Sequence, residues 1–568
     1  MTEKPQIRPV VARDTIEIHL PDGRVYEGPR NASVETFLRN LPEWQDPPIL
    51  GAIINSELRE LTYHINMDSH VKPITMADAD GMRIYRRSLT FLMEAAFDEL
   101  HPNAALSVDH SVSSGGYYCE VVRKDPLTAS EILALETRMK ELVGQDLPFT
   151  RREVPLAEAL EIFSKRNQDD KVSLMKTRNK AHLVLYRLVD HQDYHHGYMV
   201  PSTGYLKWFA LRKLEDGFVL QFPRRHAPTE LLPLPYSQRL LSTFQQYGTW
   251  LSKIGVPNVG ALNAVIRNEH IREVVLLSEA LHEQKIAEIA TEIAGHPNHP
   301  RIVLIAGPSS SGKTTFSRRL SIQLMVNGLS PYPIEMDNYF INRVHTPRDE
   351  NGEYDFESID ALNRDQLSAH LKDLIGGKQV QLPRYNFHTG CQETGEVVQL
   401  RPEQVIVLEG IHGLNPNLLT DISPADTFRV YISDLTQLNL DRHNRISTTD
   451  TRLIRRIVRD SRERGYTAKD TISRWESVRR GEKRHIFPYQ DQADEMFNSA
   501  LSYELAALKS LAVPILRQVP YGTQEYIEAK RLLTLLEWFL PIDVDLIPDN
   551  SILREFIGKS ILKDIHFV

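Results

Sequence analysis

At 568 residues the chain is long enough for two to four domains, each able to bury its own core. A composition of 25% charged and 41% hydrophobic residues excludes a disordered chain, and a formal net charge of −8 supplies no global field for nucleic acid or anionic lipid. No apolar run approaches the roughly 20 residues that cross a bilayer. Met1 to Asp14 mixes Glu3, Lys4, Arg8, Arg13 and Asp14 without a continuous apolar stretch, so no secretory signal is expected and the cytoplasm is the expected compartment. Cys119 and Cys391 stand far apart, which excludes a disulfide framework and any CxxC motif.

Taken in chain order, residues 14–85 read as a small β-rich module: Ile16, Ile18 and Leu20 alternate with polar residues before a Pro21-Asp22-Gly23 turn, and Ile49 to Ile54 forms a later apolar run. Residues 86–225 read as a mixed module. Leu89, Leu92, Met93, Ala96 and Leu100 fall at helical spacing, and Tyr117 to Val122 reads as a strand after Gly115-Gly116. Residues 226–298 form a helical connector, with Ile271, Val274, Val275, Ser278, Ile286, Ile289 and Ile293 on one stripe, broken by the Gly-His-Pro-Asn-His-Pro run at 295–300. From 299 to 568 short apolar strands alternate with helices, which predicts a parallel sheet covered on both faces. The expected whole is multidomain, α+β followed by α/β.

Ile302 to Ala306 is a buried-strand run that feeds into Gly307-Pro308-Ser309-Ser310-Ser311-Gly312-Lys313-Thr314-Thr315. This is the GxxxxGK[ST] phosphate loop in its strand-to-helix context. Glycines let backbone N–H groups converge on phosphate at a helix N-terminus, Lys313 reaches the β- and γ-phosphates, and the Thr314 hydroxyl can ligate Mg²⁺. ATP with Mg²⁺ is therefore the expected ligand pair.

A phosphate loop is shared by ATPases, GTPases and small-molecule kinases, and later residues narrow the field. Asp337 ends a strand-like Tyr332 to Met336 segment, where a carboxylate can accept the proton of an attacking hydroxyl while Tyr339 and Phe340 offer a flat surface for a ring. An N-cap aspartate followed by two core aromatics reads equally well there. Val405 to Leu408 is a second buried run closing on Glu409, the place of a Mg²⁺-associated acid beside the phosphate-loop strand. Arg452, Arg455, Arg456, Arg459, Arg462 and Arg464 are too dense in one sign for a merely solvated helix face. A triphosphate under a closing lid and a nucleic acid both fit such a helix; its length favours the lid.

At these residues the C-terminal half resembles the uridine kinase and phosphoribulokinase family over roughly 300–520. The matching pieces are GPSSSGKTT at 307, MDNYF at 336, YDFESIDAL at 354, LPRYNF at 382, VLEGIHGL at 407 and TRLIRRIVRDSRERG at 451. The resemblance implies a phosphotransferase in which Asp337 is the base on a ribose 5'-hydroxyl, Glu409 the Mg²⁺-associated acid and Arg456, Arg459 and Arg464 the lid arginines. It further implies that Tyr385, His388 and Glu357 contact base and ribose, with Glu357 standing where such kinases carry a shorter aspartate, and that the substrate is a uridine- or cytidine-like nucleoside. A sugar or sugar-phosphate kinase of the same fold is the near alternative, and an RNA-associated NTPase the alternative of another class.

The N-terminal half resembles the TGS module, of β-grasp type, and the second additional domain of threonyl-tRNA synthetases. The resemblance rests on Ile18-His19-Leu20-Pro21-Asp22-Gly23, Ile54 to Leu61, Arg86-Arg87-Ser88, Gly116-Tyr117-Tyr118 and Val200 to Gly204. The synthetases' HxxxH and CxxxH editing positions fall here on Arg87, Phe91, His195 and Met199, so editing is not expected. His191, His195 and His196, with no cysteine or HxxxH helix nearby, read as a polar loop rather than a zinc site. No basic, aromatic surface for RNA is evident in this half, and no activity is assigned to it. Expected partners are a small-molecule substrate and no membrane; assembly into an oligomer is left open.

Overall fold

The computed structural model describes residues 11, 13–112, 115–122, 125–234, 237–350, 352–563 and 565; most of the segment read for a secretory signal, Met1 to Asp14, lies outside them. The chain divides into two units, Met1–Lys165 with Lys180–Pro235 and Tyr521–Ile527, and Arg166–Asn179 with Tyr236–Pro520 and Glu528–Val568. Among the described residues no helix is long and apolar enough to cross a membrane.

In the first unit, strand Thr15–His19 buries Ile16 and Ile18 and leaves its other positions partly exposed, the period-two pattern of a half-buried strand. It pairs antiparallel with Val25–Pro29 and parallel with Ser69–Thr75, and Ile49–Ile54 and Glu57–Glu60 complete a mixed five-stranded sheet. The helix Val34–Leu38 contributes Val34, Phe37 and Leu38 to the same core. Next comes the 22-residue helix Ala79–Leu100, in which Leu89, Leu92, Met93 and Ala96 are all buried as their spacing predicts. It shares a core with the antiparallel sheet of Ala105–Val112, Gly116–Val122, Gly217–Gln221 and Ala210–Leu214. A three-stranded sheet follows the order Thr150–Pro155, His182–Leu188, His191–Asp193.

The second unit takes in the helices Gln238–Lys253, Val259–Arg267 and Ile271–Gly295 from the segment set apart as a connector. The stripe from Ile271 to Ile293 is buried, and the helix stops at Gly295. Its five-stranded sheet is wholly parallel, in the order Ser330–Glu335, Gln404–Glu409, Ile302–Ala306, Thr427–Ser433, Glu495–Asn498. Every residue of the central strand Ile302–Ala306 is buried, as a strand covered on both faces requires. The phosphate loop, Asp337 and Glu409 all follow or end strands of this sheet at its carboxyl edge, where open α/β sheets bind ligands. A two-stranded hairpin, Gln379–Asn386 with Cys391–Gln399, stands apart from the sheet.

Candidate active site

The loop closes tightly because its glycines are sterically required. A β-carbon on Gly307 would collide with the carbonyl oxygen of Ile432, and Gly312 adopts φ 88° as the N-cap of the helix Lys313–Val326. Lys313 is buried, its Nζ donating to the Pro308 carbonyl at 3.3 Å. Ser310 and Ser311 are buried with hydroxyl oxygens that have no hydrogen-bond partner. The Thr314 hydroxyl donates to Glu409 Oε2 at 3.3 Å, so the two residues predicted to hold a cation are in contact. Two amides of this cradle already have anionic partners. The Ser309 N–H donates to Glu482 Oε1 at 3.1 Å and the Thr315 N–H to Glu555 Oε2 at 3.0 Å.

Around Lys313 the acids outnumber the cations. Burial pushes the Glu409 carboxyl up to about 8; Lys313 opposes this, while Glu335, Asp337 and Glu555 add to it. Asp337 is also raised, first by loss of solvation and against the pull of Lys313, Arg464 and Arg459. The residue nonetheless remains open to solvent. Glu357 is pushed up to about 7 by burial and by Glu482, partly offset by Arg456 and Lys313, and its Oε2 is buried without a hydrogen-bond partner. Gly481 makes room for it: a β-carbon there would overlap the Glu357 side chain. The ring of acids fits a divalent cation at Thr314 and Glu409, and the unpartnered loop hydroxyls fit phosphate oxygens.

The arginine helix Thr448–Glu463 sorts its cations into two sets. Arg452 and Arg455 are fully buried: Arg452 pairs with Glu482 and donates to the Ser309 carbonyl at 2.8 Å, while Arg455 reaches Glu504 Oε2 at 2.6 Å. These two brace the loop from behind. Arg456, Arg459 and Arg464 share one carboxylate, Asp460, at 3.3, 3.0 and 3.5 Å, and Arg456 also donates to Ser309 Oγ at 2.8 Å. The crowding of like charge that the sequence shows is thus relieved by Glu482, Glu504 and Asp460, carboxylates of the chain itself.

Of the residues predicted to face a substrate ring, Tyr339 does not. It is 1% exposed in the core, and its hydroxyl meets His370 Nδ1 at 3.2 Å, because the short 3-10 turn Met336–Tyr339 points it inward. Phe340 instead joins Tyr385, Phe356 and Phe387 in an edge-to-face cluster with centroids 5.6, 6.4 and 6.5 Å away. Phe356 and Phe387 are 38% and 56% exposed, and of the two only Phe387, beside Tyr385, carries a stacking signal in the sequence. Tyr385 is buried, its N–H donating to Asn338 Oδ1 at 3.2 Å, and His388 sits exposed in the hairpin turn, its N–H on Asn386 Oδ1 at 3.0 Å. Sequence reasoning also missed Glu482 and Glu555, which lie 173 and 240 residues from the loop amides they hold.

In the first unit Arg87 donates to the Tyr198 carbonyl at 2.6 Å, Phe91 packs on His195 at 5.4 Å and Met199 is a core residue. The polar-loop expectation for the histidines is corrected: His191 and His195 are each 4% exposed and face carboxylates of the long helix.

Residues 302–505 match the description "Phosphoribulokinase / Uridine kinase family". A threonine–tRNA ligase of Polaromonas sp. is 31% identical over 204 residues, 36% of this chain and 32% of that protein, and one of Francisella tularensis is 28% identical over 203 residues with the same shares. The matching region spans about a third of the length of these relatives. Among solved structures, phosphoribulokinase of Rhodobacter spheroides is 18% identical over 35% of this chain and 70% of its own, with a TM-score of 0.25. A protein titled "Possible Uridine Kinase" from Bacillus stearothermophilus is 22% identical over 38% of this chain and 98% of its own, with a TM-score of 0.24. Such scores add nothing to the fold, which rests on the order and register of the parallel strands. Residues 302–505 of this chain thus match the phosphoribulokinase/uridine kinase family, and its N-terminal region is similar to threonine–tRNA ligases.

Proposed function

We propose that the second unit transfers the γ-phosphoryl group of ATP to the 5'-hydroxyl of a pyrimidine nucleoside. The observation that carries the reading is Asp337, past the carboxyl end of Ser330–Glu335, within electrostatic reach of Lys313, Arg459 and Arg464. The backbone N–H groups from Gly307 to Thr315 and the Lys313 ammonium hold the triphosphate. Mg²⁺, ligated through Thr314 and Glu409, would neutralise charge on the phosphate oxygens. Asp337 accepts the proton of the attacking hydroxyl, and loss of solvation raises its proton affinity, which strengthens it as a base. Arg456, Arg459 and Arg464 oppose negative charge on the equatorial oxygens and keep water out.

The nucleoside reading rests on two groups beside Asp337. Phe356 and Phe387 present exposed rings to a base, backed by the buried Phe340 and Tyr385, with His388 in the adjoining hairpin turn, and Glu357 offers an unpartnered carboxylate oxygen to a ribose diol. We assign a TGS-like module to 14–85 and a synthetase-like module to 86–225, of which Arg166–Asn179 falls in the second unit, as binding or regulatory regions to which no activity is assigned. ATP-dependent phosphorylation of a panel of ribonucleosides, deoxyribonucleosides and sugar phosphates tests the reading. A nucleoside 5'-monophosphate is expected, with Asp337→Asn lowering its formation by about 10²–10⁴-fold while ATP still binds. Turnover of sugar phosphates alone, or RNA-stimulated ATP hydrolysis without phosphotransfer, would overturn it.

A further inference from the structure

Phe91, Glu94 and Asp98 are spaced three and four residues apart on the helix Ala79–Leu100 and therefore share one face. The strand His191–Asp193 and the residues just after it bring two imidazoles and a carboxylate to that face. Glu94, Asp193, His191 and His195 are 1%, 0%, 4% and 4% exposed. Two carboxylates so deeply buried cost several kcal/mol each, by rough estimate, unless positive charge meets them.

Glu94, Asp193 and His195 place donor atoms around a common point, and His191 borders it through Glu94. His195 Nε2 lies 3.0 Å and His191 Nε2 3.4 Å from Glu94 Oε2, and one donor atom each of Glu94, Asp193 and His195 all fall within 4.8 Å of one another. An ion with bonds of about 2.0–2.2 Å separates its donors by about 3–4.3 Å, so the set closes when Glu94, Asp193 and His195 draw together and the His191 ring swings in beside Glu94. The outer contacts match as well. His191 Nδ1 meets Asp98 Oδ2 at 2.7 Å, the carboxylate–histidine pairing that turns the Nε2 lone pair inward, and Asp193 Oδ1 is held by the Tyr194 N–H at 2.6 Å. Phe91 packs against both imidazole rings at 4.9 and 5.4 Å and walls off one side.

We propose that Glu94, Asp193, His191 and His195 bind one divalent transition-metal cation of the zinc class as a closed structural site tying the long helix to the His191–Asp193 strand. Two imidazoles favour such an ion over Mg²⁺ or Ca²⁺, which take oxygen ligands. Four buried protein donors leave no open position for substrate, which separates this site from a hydrolytic one. Three of the four ligands lie outside the positions corresponding to the synthetase editing set; His195 alone is shared.

The test uses the full chain carrying Glu409→Gln, so that an ion at the phosphate loop does not contribute, dialysed against chelator and titrated with Co²⁺. One equivalent of Co²⁺ with visible ligand-field absorption, displaced by Zn²⁺, is expected, and Zn²⁺ should raise the thermal midpoint of the chelated protein. His195→Ala should abolish the absorption, and Asp98→Asn should keep the stoichiometry while weakening affinity about 10–100-fold. Should His195→Ala fail to fold, the parent protein and Asp98→Asn decide. Absence of a stoichiometric Co²⁺ spectrum, or a spectrum indifferent to both substitutions, overturns the proposal and leaves a buried ion-pair network.

Discussion

Glu357 shows how a single side chain separates binding from chemistry. Its carboxyl is pushed up to about 7 by burial beside Glu482, and Gly481 leaves the room it occupies. If it accepts the ribose hydroxyls, the ionised form is needed, so nucleoside affinity should rise with pH through about 7 and flatten above it. Glu357→Gln should raise the nucleoside KM by about 10–100-fold, the range of a lost charge-assisted hydrogen bond of roughly 1.5–3 kcal/mol, and remove that pH dependence. The ATP KM should stay unchanged, which steady-state kinetics from pH 6 to 8.5 would check. At this scale the sequence was only partly informative. Asp337, Lys313, Thr314 and Glu409 were identifiable because strand, turn and helix patterns place them by position along the chain. Tyr339 was misassigned because a 3-10 turn, invisible in aromatic content, decides which of two neighbouring rings faces the core.

Among the elements, the C-terminal segment does what its sequence did not disclose. Ser551 to Phe556 packs on the second unit with Ile552, Leu553 and Phe556 fully buried, and Ile552 lies where a β-carbon on Gly312 would stand. Glu555 accepts the Thr315 N–H at the N-terminus of the phosphate-loop helix, a donor that an incoming phosphate also seeks. Glu555→Gln should therefore tighten ATP binding by about 2–5-fold, the scale of one charge of roughly 0.3–1 kcal/mol at a helix end, and slightly lower the melting temperature of the ATP-free chain. Isothermal titration with ATP and a thermal melt would show both. The arginine helix teaches the same lesson. Its density of charge signalled function, but only packing reveals that Arg452 and Arg455 are internal braces while Arg456, Arg459 and Arg464 gather at Asp460.

For the whole molecule, pH should act on the second unit through buried imidazoles. His282 is 2% exposed, its Nε2 meets the Ala500 carbonyl at 3.1 Å, and burial together with Arg319 lowers its pKa to about 3; burial and His485 do the same to His412. The folded values lie below an unfolded value of about 6.5, so the unfolded chain binds more protons in acid. Stability is then full above about pH 6.5 and falls as pH drops toward 3, by up to about 1.4 kcal/mol per pH unit for each histidine. His282→Gln should remove roughly half of this slope in denaturant melts between pH 4.5 and 7. The sequence by itself determined the phosphate loop, the parallel-sheet class of the unit that carries it and the position of Asp337, because these depend on glycine sterics and apolar periodicity within short contiguous stretches. Only the tertiary structure decided which carboxylates meet the loop amides, which arginines remain near the cleft and that Glu94 and Asp98 face His191 and His195, because those pairings join residues some 30 to 240 positions apart whose approach is set by packing.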